Sequence, residues 1–348
     1  MTRRELLSIA PKAAGLVRSG SLLARSPGHE VLAFYYGWYA SPQLTGEWAH
    51  WPEGTAHEPL LGHYDSHDPK IVEEQMNAIR SAGITGVIVS WWRAGDFQDR
   101  GMPLLLAAAE RAGLKVTVYY EIPKPRGSPT PQATEDDFVD ILTRFGSHRA
   151  WLRSAGKPVA FVYGRAVSEL HLDGWAKVRK EVNRRYQDGV CLVGDGISTA
   201  AAKVFDGIHT YNPTGQTANM SLDEIRAWAR ATYPKWVATA GKRISCLTVI
   251  PGYDDSKLKR PAPRPTTERY GGETYRVLWQ EAIAARPDWI LITSWNEWHE
   301  GSEIEPSQEN GDRELKATGE FARRFLGPVN SKGAPGFAAR GATTPPQA

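Results

Sequence analysis

From about residue 31 to residue 326 the chain alternates short apolar runs with amphipathic stretches roughly eight times, and no other feature restricts its fold as strongly. The apolar runs fall at 31–39 (VLAFYYGWY), 86–92 (GVIVSWW), 114–121, 158–164, 190–195, 207–213, 244–253 and 289–298. The helical stretches fall at 68–83, 103–113, 134–149, 171–187, 198–205, 221–240, 270–286 and 313–326. Unbroken Val, Ile and Leu runs, without polar alternation, suit parallel strands covered by helices on both faces. A doubly wound open sheet would carry a glycine-rich phosphate loop after its first strand. Here the first strand is followed instead by SPQLTGEWAHWPEGTAHEPLLGHYDSH, which suits the wall of a cleft. The expectation is therefore an α/β protein of one domain, a (β/α)8 TIM barrel, over residues 30–327.

The flanks read differently. Residues 1–29 begin with Arg3-Arg4 ahead of a mildly apolar segment that Lys12 and Arg18 interrupt. A twin-arginine export signal and an amphipathic or disordered leader both fit, so the location stays open between cytoplasm and export. Residues 328–348, rich in Pro, Gly, Ala and Thr, read as a disordered tail.

Composition removes several functions. Lys and Arg total 42 against 39 for Asp and Glu, and a formal charge of +3 is too small for a nucleic-acid partner. No apolar stretch approaches the roughly 18 residues needed for membrane insertion. Cys191 and Cys246 lie in apolar runs assigned to strands that are not neighbours, so they are expected as unpaired core residues. Neither an HExxH segment nor paired cysteines occur, and no metal or cofactor is expected. The 13 Trp and 13 Tyr provide flat faces that either fill a core or stack on sugar rings.

In such a barrel the active site gathers at the carboxyl ends of the strands. Those ends carry Tyr35, Tyr36, Trp38 and Tyr39, then Trp91 and Trp92, then Tyr120 and Glu121, then Tyr163, Asp195, Tyr211 and Asn212, and Tyr253 with Asp254 and Asp255. The eighth run ends in WNEWHEGSEIEP, with Trp295, Asn296, Trp298 and His299 around Glu297 and Glu300. Aromatic platforms beside carboxyl groups are what a carbohydrate site requires. Glutamates three apart on a helical turn project to one side, and a glycosidase divides its work between two such groups. His299 lies between them and can hydrogen-bond one. A solvated acidic loop is the plainer alternative, but the flanking Trp295, Trp298 and Ile304 are too apolar for it.

Six segments in order, FYYGWYASPQ, GHYDSHDPKIVEEQMNAIRSAGITGVIVSWW, LKVTVYYE, FDGIHTYNP, PGYDD and ITSWNEWHEGSEIEP, resemble the serial motifs of glycoside hydrolase family 99, the endo-α-mannosidases and endo-α-1,2-mannanases. The resemblance implies a retaining, endo-acting, cofactor-independent hydrolase of α-mannosidic glycans. It implies that the sugar's own 2-hydroxyl attacks C1 to give a 1,2-anhydro sugar. Glu297 would then be the base for that hydroxyl, and Glu300 the acid for the leaving group and later the base for water. It also places Tyr36, Tyr39, Gln43, Trp92, Glu121 and Tyr211 along the binding subsites. Trp92, where animal members carry Tyr, points towards mannan. The chain departs from the family in SKLKRPAPRPTTERYGGETY, in SWNEW and in YYEIPKP. The expected partner is an oligosaccharide or polysaccharide, bound by a monomer. Two other readings stay open: a glycan-binding relative linked to polysaccharide biosynthesis, and a glycosidase with a carboxylate nucleophile pairing Glu121 with Glu297.

Overall fold

The structure, a computed structural model, describes residues 28–121, 129–258, 261 and 264–327; the Arg3-Arg4 leader and the tail from 328 lie outside the described residues. Eight parallel strands form the barrel: β1 (Glu30–Tyr35), β2 (Gly86–Trp91), β3 (Lys115–Tyr120), β4 (Lys157–Val162), β5 (Cys191–Asp195), β6 (Gly207–His209), β7 (Ile244–Val249) and β8 (Trp289–Ile292). β1 pairs with both β2 and β8, and the sheet closes where β3 meets β4 through Tyr119↔Phe161 and Tyr120↔Val162. A two-residue antiparallel strand, Arg153–Ser154, adds to the edge of β4. Cys191 and Cys246 are buried free thiols on β5 and β7, with β6 between them.

Helices follow the strands in turn: α1 (Pro69–Ser81), α2 (Phe97–Ala112), α3 (Pro131–Phe145), α4 (Gly164–Arg185), α5 (Thr199–Val204), α6 (Leu222–Ala240), α7 (Glu273–Ala285) and α8 (Arg313–Leu326). Their starts follow the chemistry of orphan amides. Asp68 accepts from the Lys70 amide ahead of Pro69, and Ser221 with Glu224 closes a reciprocal capping box. Two boundaries differ from the sequence pattern. α2 begins at Phe97 rather than 103, with Pro103 inside it, because Asp99 anchors the added turns. α4 carries an added turn from Gly164, and His171, with φ at 57° and ψ at 164°, breaks the helix there, so the expected stretch from 171 is its second part.

Alternate residues of every strand face opposite ways. Leu32, Phe34, Ile88, Tyr119, Val159, Phe161, Val193, Cys246 and Leu291 fill the barrel interior. Val31, Ala33, Val87, Val89, Val118, Val162 and Ile292 pack outward under the helices. That parity sends Trp91 outward, fully buried, where its indole N–H donates to Asp99 Oδ1 at 2.9 Å. Asp99 also accepts from the Gly95 amide at 2.8 Å and from both terminal nitrogens of Arg144 on α3, at 3.1 and 2.8 Å. One carboxylate thus ties β2, α2 and α3 together. Replacing it strands a buried indole N–H, while the half-buried Arg144 keeps its ion pair with Asp140, so Asp99→Ala should cost about 2 kcal/mol in urea unfolding. A loss below about 1 kcal/mol would show that the tie does not matter.

Candidate active site

The segment after β8 turns back on itself. The Ser294 amide donates to Ser302 O at 2.7 Å and the Ile304 amide to Ser294 O at 2.9 Å. Within the turn, Trp298–Glu300 forms one short 3-10 turn, and Glu297 caps it by accepting from the His299 amide. Gly301 is required here: its φ is 56°, and a Cβ would stand 2.9 Å from Ala56 Cβ and 3.2 Å from Asp254 O. Arg269 clasps the far side, donating to Gly301 O at 2.9 Å, Glu303 O at 3.0 Å and the Glu303 carboxylate at 2.6 Å.

Asn296 joins this loop to the end of β1. Its side chain accepts from the Tyr36 amide at 2.8 Å, and donates to Tyr36 O at 2.9 Å and Tyr64 Oη at 3.1 Å. The Tyr39 hydroxyl donates to Asn296 O at 3.0 Å and accepts from the Trp298 amide at 3.2 Å. Asn296, Tyr39 and Trp298 are fully buried and hold the loop's shape.

The loop delivers Glu297 and Glu300 into one cleft of about 320 Å³ at the carboxyl end of the barrel. Tyr36, Trp38, Trp92, Tyr119, Glu121, Tyr163, Tyr211 and His299 line it with them. Glu300 accepts from Tyr211 Oη at 3.2 Å and from Tyr253 Oη at 3.1 Å, and Tyr36 Oη donates to Tyr211 Oη at 2.6 Å. Glu297 Oε1 lies 2.9 Å from His299 Nδ1. Glu121 Oε1 is buried without a hydrogen-bond partner. Burial, reinforced by the charges of Glu297 and Glu300, pushes the Glu121 carboxyl up to about 7. Three carboxyl groups therefore share one cleft in three different surroundings.

Among the expected binding residues, Tyr39, Asn296 and Trp298 support the loop rather than line the cleft, and three more sit elsewhere. Trp91 lies in the helix layer, as its parity requires. Trp295 is buried against a separate cavity of about 210 Å³ beside Gln75 and Glu305. Gln43 is exposed and lines another hollow, of about 490 Å³, with Trp48 and Asp65. In turn the cleft contains Trp38, which the end of the first strand already suggested, and side chains that sequence reasoning left out: His50, Glu53, Tyr119, Arg165 and Leu258. Trp38 and Tyr119 share the parity of Tyr36 and Glu121 and were accessible on that ground. His50, Glu53 and Leu258 come from irregular loops and carry no local signal.

Among the described residues, His50, Glu53 and His299 form the group whose donor atoms could converge on a metal, all within 4.8 Å of one another. Both ring nitrogens of His299 are already engaged, Nδ1 by Glu297 and Nε2 by His50 O at 2.8 Å. Among the described residues no helix is long and apolar enough to cross a membrane.

A closed barrel that sets paired carboxyl groups into an aromatic-walled cleft defines a class, the (β/α)8 glycoside hydrolases. Comparison with known proteins makes the assignment specific. The glycosyl hydrolase family 99 model matches residues 52–316, and the chain belongs to that family. It is similar to a human glycoprotein endo-alpha-1,2-mannosidase-like protein, 27% identical over 325 residues that cover 79% of this chain and 68% of the relative. The mouse glycoprotein endo-alpha-1,2-mannosidase is 26% identical, over 78% of this chain and 67% of its own. The solved GH99 endo-alpha-mannosidase of Bacteroides thetaiotaomicron superposes with a TM-score of 0.73 at 27% identity, covering 85% of this chain and 97% of that one. The protein is an endo-acting glycoside hydrolase.

The cleft's own electrostatics can be measured. Because burial raises Glu121 from 4.5 to about 7, the folded state binds its proton more tightly than the unfolded chain does. The resulting stabilisation is complete below about pH 4.5 and is lost as the pH rises through 7. Glu121→Gln should remove that slope, about 3 kcal/mol between the two pH limits, from the urea stability profile. Parallel profiles for parent and variant would show that Glu121 ionises as freely as in water.

Proposed function

We propose that the enzyme cleaves α-mannosidic, or closely related α-linked, bonds inside a glycan chain with retention of configuration, through a 1,2-anhydro sugar. The observation that carries this reading is the opening of Glu297 and Glu300 into one cleft from a single turn, each held by different donors. Glu297 takes the proton of the 2-hydroxyl, O2 bonds to C1, and Glu300 protonates the departing oxygen as the glycosidic bond breaks. In the second step Glu300 removes a proton from water, which attacks C1. The C1–O2 bond opens and O2 recovers its proton from Glu297. Two displacements at C1 restore the starting configuration.

Tyr211 and Tyr253 donate to Glu300, and the Tyr36 to Tyr211 relay orients them. Trp38 and Trp92, with ring centroids 5.9 Å apart, offer faces for the sugar rings. Glu121, pushed up to about 7, is only partly ionised near neutrality and so suits hydroxyl recognition better than nucleophilic attack. This weighs against the carboxylate-nucleophile reading. The names of the mammalian and bacterial relatives support α-mannoside as the substrate class.

Incubation with α-1,2- and α-1,3-linked mannan fragments should release internal cleavage products whose new reducing ends first appear in the α configuration by NMR. Glu297→Gln and Glu300→Gln should each lower kcat by about a thousandfold. Sugar release by the double variant at the parent's rate would end the assignment.

A further inference from the structure

His299 stands between the two glutamates, yet the reaction proposed above gives it no step. Its ring is buried, stacked on Tyr39 with centroids 5.8 Å apart and an angle of 22°, and both its nitrogens face acceptors. Nε2 lies 2.8 Å from the carbonyl of His50. A carbonyl only accepts, so Nε2 carries a proton. Nδ1 lies 2.9 Å from Glu297 Oε1, and one further proton belongs to that pair. The same Oε1 also accepts from the His299 backbone amide at 3.3 Å, so it already serves as an acceptor and the pair's proton sits on Nδ1.

We propose that His299 is an imidazolium, its two ring protons committed to Glu297 and to the His50 carbonyl, and that it fixes the Glu297 carboxyl group in place as the base. This assigns His299 as a positioning residue and rests on the proposed role of Glu297. The surrounding groups agree. From the long loop after β1, Glu53 adds a second negative charge, while the His50 ring, 6.0 Å away, is pushed down to about 4 chiefly by burial and so stays neutral. Trp38 and Tyr39 add aromatic faces, which favour a cation. Burial opposes the charge on His299, but the hydrogen bond and charge of Glu297 outweigh it and raise the group from 6.5 to about 9. A histidine raised in this way stabilises the fold fully below about pH 6.5, and the contribution is lost as the pH passes 9.

The same geometry decides between a proton and a metal. A metal bound with His50 and Glu53 needs a lone pair on His299, and a doubly protonated ring has none.

Nitrogen-15 NMR of the full-length protein tests this, with His299→Gln identifying the resonance. At pH 7.5 both ring nitrogens of His299 should be protonated, with a titration midpoint near 9 and no response to added zinc. One bare nitrogen at pH 7.5, or a zinc-dependent shift, would overturn the proposal. His299→Gln keeps a donor but loses the charge; assayed well below its own unfolding temperature, where it is folded, its kcat should fall about tenfold or more while KM changes less. An unchanged kcat would remove the positioning role. Should the parent cleave no mannan at all, the functional reading fails, and the protonation state of His299 is still decided by the spectrum.

Discussion

The two-residue pleat of a closed parallel barrel governs this molecule. Once β3 pairs with β4, each strand has one face towards the barrel axis and one towards the helices, and alternate side chains have no other choice. The inward series runs Phe34 to Tyr36, Ile88 to Trp92, Tyr119 to Glu121 and Phe161 to Tyr163. At its lower levels this series is apolar and packs the barrel solid. At its upper end the same series emerges into the cleft and becomes aromatic and acidic. The site is thus a continuation of the core rather than an addition to it, and the rigidity of the one positions the other.

Glu297 and Glu300 lie beyond the regular strand, so parity alone cannot place them. A chain of buried polar groups does so instead. Gln75 on α1 donates to Glu305 at 2.7 Å, Tyr64 donates to Glu305 at 2.8 Å, and the Tyr64 hydroxyl accepts from Asn296 and Trp298. Each link satisfies a group that would otherwise be costly to bury. Burial pushes Glu305 up to about 7, so this carboxyl sits at the edge of protonation while Gln75 and Tyr64 donate to it. Arg269 completes the support from the opposite side, between Glu303 and Glu314 at 2.6 and 3.2 Å.

Much of this could be read from residues in order. Apolar runs and capping residues located all eight strands and their helices, because burial on both faces leaves an unambiguous pattern. The acidic turn could be located for a related reason, since carboxyl groups among tryptophans do not make a solvated surface. Trp91 is settled by parity: counting two from Ile88 gives Ser90 and Trp92 as inward and Trp91 as outward, in the helix layer. His50 and Glu53 show where it had no purchase. They reach the cleft on a loop whose course depends on contacts such as Trp51 Nε1 to Tyr64 O at 2.8 Å and Ala56 N to Trp298 O at 2.8 Å. No local periodicity encodes a loop held by its own irregular contacts and by a partner as distant in the chain as Trp298.

The grouping of three carboxyl groups in about 320 Å³ raises the question of why they do not simply repel one another apart. The answer lies in how differently each is compensated. Glu300 receives two phenol donors, Glu297 pairs with an imidazole and a backbone amide, and Glu121, with an unpartnered oxygen, is only partly ionised near neutrality. Like charges in a confined site are tolerable when their protonation is driven apart by surroundings, and that separation is also what general acid–base catalysis needs. For Glu121 the raised affinity for its proton removes part of that repulsion. The tyrosines and His299 that make the cluster stable are the same groups that make its members unequal.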